Sequence, residues 1–213
     1  MQRIELHGVV PDVFRGTDLR SEVWGSDLAF QKGDVCLVEA ASGRGKTSLC
    51  SFLYGWRDDY SGTVLFDGRD IRSFGDSSWT RIRQRSLSMI FQELRLFPQL
   101  TAYENVRIKN DLTGYKSREW IVDCFDRLGI ADKLDTKVKL MSFGQQQRVA
   151  LVRALCQPFD FIFCDEPVSH LDDGNGALLA RLLMEEAASN GAGVIVTSIG
   201  KHAGLDYGRR LSL

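Results

Sequence analysis

The sequence predicts an α/β fold: a mostly parallel sheet with helices, an N-terminal antiparallel β flap and an inserted helical lobe. Three observations carry that prediction. Residues 35–38, 161–164 and 194–196 are short, almost wholly apolar runs rich in β-branched and aromatic side chains, as strands buried on both faces require. Helical periodicity separates them. Leu49, Phe52, Leu53 and Trp56 recur at i, i+3, i+4 and i+7, as do Ile121, Cys124, Phe125 and Leu128, and a third stripe joins Val149, Val152 and Leu155. Residues 4–6, 28–30 and 63–66 are instead short alternating segments parted by Gly and Asp turns, suited to an antiparallel flap beside the main sheet.

Residues 93–146 carry helical pattern and no strand, so they read as a helical lobe inserted in an α/β core formed by 1–92 and 147–213. At 213 residues, with roughly 150 residues usual per domain, the chain reads as a single domain over 1–213. A globule of this size buries about 70% of the surface its unfolded chain exposes and folds without disulfides or metal.

Composition narrows the function. Lys and Arg number 27 against 28 Asp and Glu, a formal charge of −1. That near-balance argues against nucleic acid as a partner, since such binding begins with a basic surface. The five cysteines (Cys36, Cys50, Cys124, Cys156 and Cys164) are odd in number, scattered and without a CxxC pair, which points to a reducing compartment and away from a zinc site. No apolar run is long enough to span a bilayer, and the first residues lack the core of a signal peptide. A cytoplasmic protein is expected, and a membrane role would come through a partner.

The first chemistry-bearing motif follows the run at 35–38. Ala40-Ala41-Ser42-Gly43-Arg44-Gly45-Lys46-Thr47-Ser48 leads at once into the helical stripe of Leu49 and Phe52, the strand–loop–helix setting of a phosphate-binding P-loop. Its glycines let backbone N–H groups turn toward phosphate oxygens, and the helix N-terminus adds positive potential. Ser42, Gly43, Arg44, Gly45, Lys46, Thr47 and Ser48 are therefore candidate nucleotide-binding residues. Lys46 would reach the β- and γ-phosphates and Thr47 would ligate Mg²⁺. The fold class this adds is a P-loop NTPase core.

The run at 161–164 ends in Asp165-Glu166-Pro167. A P-loop nucleotidase needs an Asp at such a strand end to hold Mg²⁺ and a second group to orient the attacking water. Asp165 and Glu166 fit those roles in that order. Ser142 and Gln145 form an S-x-x-Q capping box before the stripe of Val149 and Val152.

These motifs, in this order, resemble the ATP-binding cassette (ABC) ATPases. Met89-Ile90-Phe91-Gln92-Glu93 resembles the family's Q-loop, which implies that Gln92 contacts the metal and the attacking water. Residues 141–148, Met-Ser-Phe-Gly-Gln-Gln-Gln-Arg, resemble the signature LSGGQ and its continuation. The likeness implies that Ser142, Gly144 and Gln145 face the γ-phosphate held by a second subunit, so that two chains sandwich two ATP molecules head-to-tail. Ser169-His170-Leu171-Asp172 resembles the D-loop, and 61–68 the hairpin after the P-loop. Phe14 stands roughly where the family places the aromatic that stacks on adenine, with Trp24 its competitor. The compact size resembles subunits of lipoprotein-release, macrolide-export and cell-division complexes. ATP and Mg²⁺ are the implied cofactors, and a second ABC subunit and a transmembrane permease the implied partners. Residues Leu94, Leu96, Phe97 and Pro98, just after Gln92, either line the face that couples to that permease or pack inside the lobe.

Three positions depart from the family pattern. Ala40 replaces the first P-loop glycine, which is tolerated where its φ is negative. Phe143 replaces a signature glycine, so its ring either splays outward or obstructs the sandwich. Ser198 follows Thr197 where the family has a histidine; His202 lies about 13 Å further along an extended chain and substitutes only if the loop folds back. An alternative function follows from these departures: a regulatory nucleotide-binding module that hydrolyses slowly or not at all.

Overall fold

The computed structural model describes residues 1–17, 20–200 and 204–213. In chain order the elements are β1 (Arg3–Pro11), β2 (Asp27–Gln31), β3 (Val35–Glu39), α1 (Lys46–Leu53), β4 (Tyr60–Phe66), β5 (Arg69–Asp70), α2 (Asp76–Arg85) and β6 (Leu87–Ile90). There follow α3 (Ala102–Asn110), α4 (Arg118–Arg127), α5 (Phe143–Leu155), β7 (Phe161–Asp165), α6 (Asp173–Asn190), β8 (Gly193–Ser198) and β9 (Arg209–Ser212).

Two sheets form. The flap is antiparallel in the order β2-β1-β4-β5. The main sheet has the order β6-β7-β8-β3-β9, and every pairing in it is parallel. Its central strands bury both faces, which explains their unbroken apolar runs. Cys36, Val38, Phe161, Phe163 and Ile195 pack toward the flap and α1. Leu37, Ile162, Cys164, Val194 and Val196 pack on the opposite side with α4, α5 and α6. Side chains that alternate across a strand must all be apolar when a layer lies on each side. All five cysteines are buried thiols.

The stripe assigned to α1 needs one correction, because Trp56 is not on it. The helix ends at Leu53, and Gly55 follows with φ +68°. The Gly55 N–H donates to Phe52 O and the Trp56 N–H to Ser51 O, a Schellman termination. A Cβ at Gly55 would lie 2.2 Å from the Trp79 ring, so glycine is needed there for space as well as φ. Trp56 emerges beyond the cap and stacks on Phe91, ring centroids 4.8 Å apart.

The strands β6 and β9 lie outside the runs read from sequence. Ser88 interrupts β6, yet it is buried because its hydroxyl donates to Ala154 O at 2.6 Å. Strand β9 is an edge with Leu211 as its buried residue, so it lacks a hydrophobic signature. Between β6 and β7 lie α3, α4 and short 3₁₀ turns, and Thr101 bridges to Lys137. Thr101 and Glu104 form a reciprocal capping box on α3. Ile121, Cys124 and Phe125 of α4 join the core that Val149 and Val152 of α5 enter. Among the described residues, no helix is long and apolar enough to cross a membrane.

Candidate functional site

The loop at 40–45 joins β3 to α1 at the C-terminal edge of the parallel sheet, where open α/β sheets place ligands. Gly43 and Gly45 both adopt positive φ, +79° and +97°. A Cβ on Gly45 would meet Phe14 Cε2 at 3.0 Å and the Trp24 ring at 3.1 Å, so both aromatics press on the loop from below. They differ in exposure. Trp24 is buried, and its Nε1–H donates to Arg44 O at 3.1 Å, which makes it a brace. Phe14, in a 3₁₀ turn after β1, keeps a partly open face. Ala40 is not among the residues of positive φ, so the condition for tolerating it is met. Its N–H donates to Ser198 O at 3.1 Å.

Lys46 and Thr47 open α1, with Ser48 next. The Lys46 ammonium donates to Ala40 O and Ala41 O at 2.8 and 3.1 Å and lies 3.5 Å from a Glu166 carboxylate oxygen. Thr47 Oγ1 donates to Gln92 Oε1 at 3.5 Å, and Gln92 Nε2 donates to Glu166 Oε2 at 3.4 Å. Ser48 Oγ accepts from Arg57. Three segments far apart in sequence, at 46–48, 92 and 165–166, thus converge on one spot.

Asp165 is 1% exposed at the end of β7. One carboxylate oxygen accepts the Thr197 hydroxyl at 2.6 Å, while the other is buried with no hydrogen-bond partner among the described residues. Burying a lone carboxylate oxygen is costly unless a cation meets it. This oxygen, Thr47 Oγ1 and Gln92 Oε1 are all oxygen donors of the kind a hard Mg²⁺ ion takes, so the chemistry of these residues fits the metal that the P-loop implies.

Glu166 departs from ordinary backbone: its φ is +51°, a left-handed conformation that costs a non-glycine residue roughly 1 kcal/mol or more. Hydrogen bonds hold it there. Its N–H donates to Thr197 O at 3.2 Å. Ser169 donates to its carbonyl through both N–H and hydroxyl, at 3.3 and 3.1 Å.

At the start of α5, Gln145 N–H donates to Ser142 Oγ at 3.3 Å, and Ser142 N–H donates to Gln145 Oε1 at 2.9 Å. This is the capping box read from sequence. Phe143 is the first helical residue, and its ring lies against His170. A Cβ on Gly144 would come within 3.1 Å of Leu171. Asp172 caps α6 by accepting from Asn175 N–H at 2.8 Å, and those contacts hold its carboxyl below the usual range. The 142–145 group is thus presented beside the 169–172 loop. Ser198 ends β8 against the P-loop, and its hydroxyl accepts from Gly200 N–H at 3.1 Å. His202 lies outside the described residues.

Sequence reasoning missed three supports: the Thr197 bond to Asp165, the Trp24 brace and the Arg57 contact to Ser48. The first two join segments far apart in sequence, and the third closes the turn after α1. The β7–β8 register that sets Asp165 opposite Thr197 has no local signal.

Comparisons with known proteins agree with this geometry. A family model described as ABC transporter matches residues 24–169. YclH of Bacillus subtilis (strain 168), an uncharacterized ABC transporter ATP-binding protein, is 33% identical over 176 residues, covering 81% of this chain and 76% of its own. The lipoprotein-releasing system ATP-binding protein LolD of Shewanella frigidimarina is 31% identical over 82% of this chain and 74% of its own. MacB of Nitrosomonas europaea, a macrolide export ATP-binding/permease protein, is 33% identical over 91% of this chain, which spans 30% of that longer protein. Among solved structures, the dimeric bacterial ABC transporter cassette MJ0796 superposes with a TM-score of 0.78 at 27% identity, covering 92% of this chain and 87% of that one. The chain belongs to the ABC transporter family, as an ATP-binding cassette.

Proposed function

We propose that this chain binds Mg-ATP at the site formed by 42–48, Gln92, Asp165 and Glu166, and closes on ATP as a head-to-tail dimer that drives a membrane partner. The observation that carries this reading is the convergence of Lys46, Thr47, Gln92 and Glu166 within hydrogen-bonding reach, beside a buried Asp165 oxygen that has no hydrogen-bond partner among the described residues. Lys46 exchanges its loop carbonyls for phosphate oxygens, and the N–H groups of 43–48 cradle the same anion. Phe14 offers its open face to the base. Thr47, Gln92 and Asp165 would hold Mg²⁺, which would supply charge neutralisation on the phosphates. The Glu166 carboxylate takes the proton of the attacking water, with Gln92 fixing that carboxylate's position.

Ser142, Gly144 and Gln145 present the N-terminus of α5 to the partner's nucleotide, and Ser169 and Asp172 line the seam. Residues 93–146 act as the lobe that moves the permease, and 1–92 with 147–213 act as the nucleotide core. LolD and MacB support the membrane assignment, because lipoprotein release and macrolide export are transport tasks. The chain then works at the cytoplasmic face of a membrane through that partner.

A slower, regulatory mode is favoured by one observation: the hydroxyl at Ser198 is engaged by Gly200 of its own loop. Titration calorimetry tests the core of the proposal. Mg-ATP binds the wild-type chain, and Lys46→Ala loses that binding; equal affinities would reject the site.

A further inference from the structure

The first turn of α5 holds two unspent donors. Gln145 N–H is given to Ser142 Oγ, and Gln146 N–H to Ser142 O at 2.9 Å. The N–H groups of Phe143 and Gly144 make no hydrogen bond among the described residues. Every helix start leaves such donors, and here they form the face that head-to-tail closure turns toward the partner's nucleotide. One of the two belongs to a residue with a bulky ring.

A phenyl group endangers that face. Side chains on a helix lean toward its N-terminus, so each covers the turn before its own Cα. For the first helical residue, that ground is the free end itself. A ring lying there would cover both N–H groups and keep an anion from reaching them.

The structure sends the ring another way. It stands edge-on to the His170 imidazole, with centroids 4.5 Å apart, while 40% of the residue stays exposed. His170 is itself pinned. Its Nδ1 lies 2.8 Å from Ser169 Oγ, and Ser169 is tied to the Glu166 carbonyl through hydroxyl and N–H. Beyond it Leu171 is buried, and a Cβ on Gly144 would come within 3.1 Å of that side chain. The 169–172 loop therefore lies against the first turn of α5. Glycine at 144 leaves room for this approach, and the approach brings His170 within reach of the ring.

We propose that His170 is a positioning residue that holds the Phe143 ring to the side of α5 and keeps the two N–H groups open to the partner's nucleotide. The inference rests on the reading that two chains close head-to-tail on ATP, and adds how a bulky side chain is accommodated at that seam. Phe143 and His170 form one unit: the ring needs its clasp, and without the ring the clasp has no task. An edge-on pair between exposed rings shifts a rotamer equilibrium by about two- to threefold. A dimer closes two such faces, so losing both clasps weakens it about fivefold.

The test measures ATP-dependent dimer association by sedimentation equilibrium, with the full chain carrying Glu166→Gln so that nucleotide is not consumed. In that parent, His170→Ala should lower dimer association about fivefold. Its calorimetric Mg-ATP affinity should match the parent's, which separates closure from nucleotide binding. Adding Phe143→Gly to His170→Ala should restore association, because no ring is left to hold. His170→Phe keeps an aromatic partner but gives up the bond to Ser169, and should dimerise as the parent does. Association unchanged within twofold in His170→Ala, or a loss that persists after Phe143→Gly, would overturn the proposal. An altered Mg-ATP affinity in His170→Ala would also overturn it. So would a loss in His170→Phe equal to that in His170→Ala, which would give the role to the Ser169 bond. No ATP-dependent dimer in the Glu166→Gln parent would overturn the head-to-tail reading itself, and the proposal with it.

Discussion

The phenyl ring of Phe143 stands edge-on to the imidazole of His170, with ring centroids 4.5 Å apart and planes at 65°. His170 Nδ1 lies 2.8 Å from Ser169 Oγ, and that hydroxyl donates to the Glu166 carbonyl. The first residue of α5 is thereby linked, through one pair of rings and one hydroxyl, to the loop that holds Glu166. The Phe143 ring thus packs against its own chain at 170.

That contact gives the first prediction. Such aromatic pairs contribute about 0.5–1.5 kcal/mol beyond area burial. A double-mutant cycle of Phe143→Ala and His170→Ala in urea denaturation should show a coupling of that order at its lower end, given the exposure of both rings. Additivity within about 0.3 kcal/mol would mean that the two side chains act independently.

Thr197→Val should destabilise the chain by about 1–3 kcal/mol, because the isosteric methyl removes the hydrogen bond that a buried Asp165 oxygen accepts. Thr197→Ser keeps the donor and should recover most of the loss. Urea midpoints for the three proteins check this, and equal midpoints for Val and wild type would contradict it.

Much of the architecture was legible because burial on two faces leaves a local trace. The runs at 35–38, 161–164 and 194–196 are continuous for that reason, and each is a central strand of the parallel sheet. Strand β6 escaped because Ser88 satisfies its hydroxyl with a carbonyl of α5, which turns a polar letter into a core position. Strand β9 escaped because an edge needs few apolar residues. Trp56 was misplaced because the stripe's period continued past a helix end that Gly55 imposes. At the site, the residue types of Lys46, Thr47, Gln92, Asp165 and Glu166 could be read from motifs. Their mutual distances, the left-handed Glu166 and the bracing by Trp24 could not, since these arise where distant segments meet.

Lys109 should titrate early. Its pKa of about 8 against an ordinary 10.5 means that the folded chain binds fewer protons than the unfolded chain between those values. Stability from this group therefore rises with pH through about 8 to 10.5, and the native amine becomes nucleophilic sooner. Competitive acetylation followed by peptide mass spectrometry should show Lys109 reaching half its maximal rate near pH 8, while exposed lysines continue to rise toward pH 10. A Lys109 profile that follows the exposed lysines would contradict the burial that lowers its pKa.

Ser198→His should raise kcat with little change in ATP affinity. Removing one preorganised donor at a reacting phosphate typically costs about 10²–10³-fold, and Ser198 already ends β8 against the P-loop, where its carbonyl accepts from Ala40 N–H. Wild type, Ser198→His and His202→Ala are compared at saturating Mg-ATP. A large loss in His202→Ala with no gain in Ser198→His would give the role to His202.

The most direct test of the account is hydrolysis by Glu166→Gln. The amide keeps the reach to Gln92 but cannot take the proton, so Mg-ATP affinity should persist while kcat falls by about 10²–10⁴-fold. With turnover blocked, an ATP-dependent dimer should accumulate on gel filtration. Turnover at the wild-type rate, with no ATP-dependent dimer, would contradict the assignment of Glu166 as the base and of the chain as a cassette that closes on ATP.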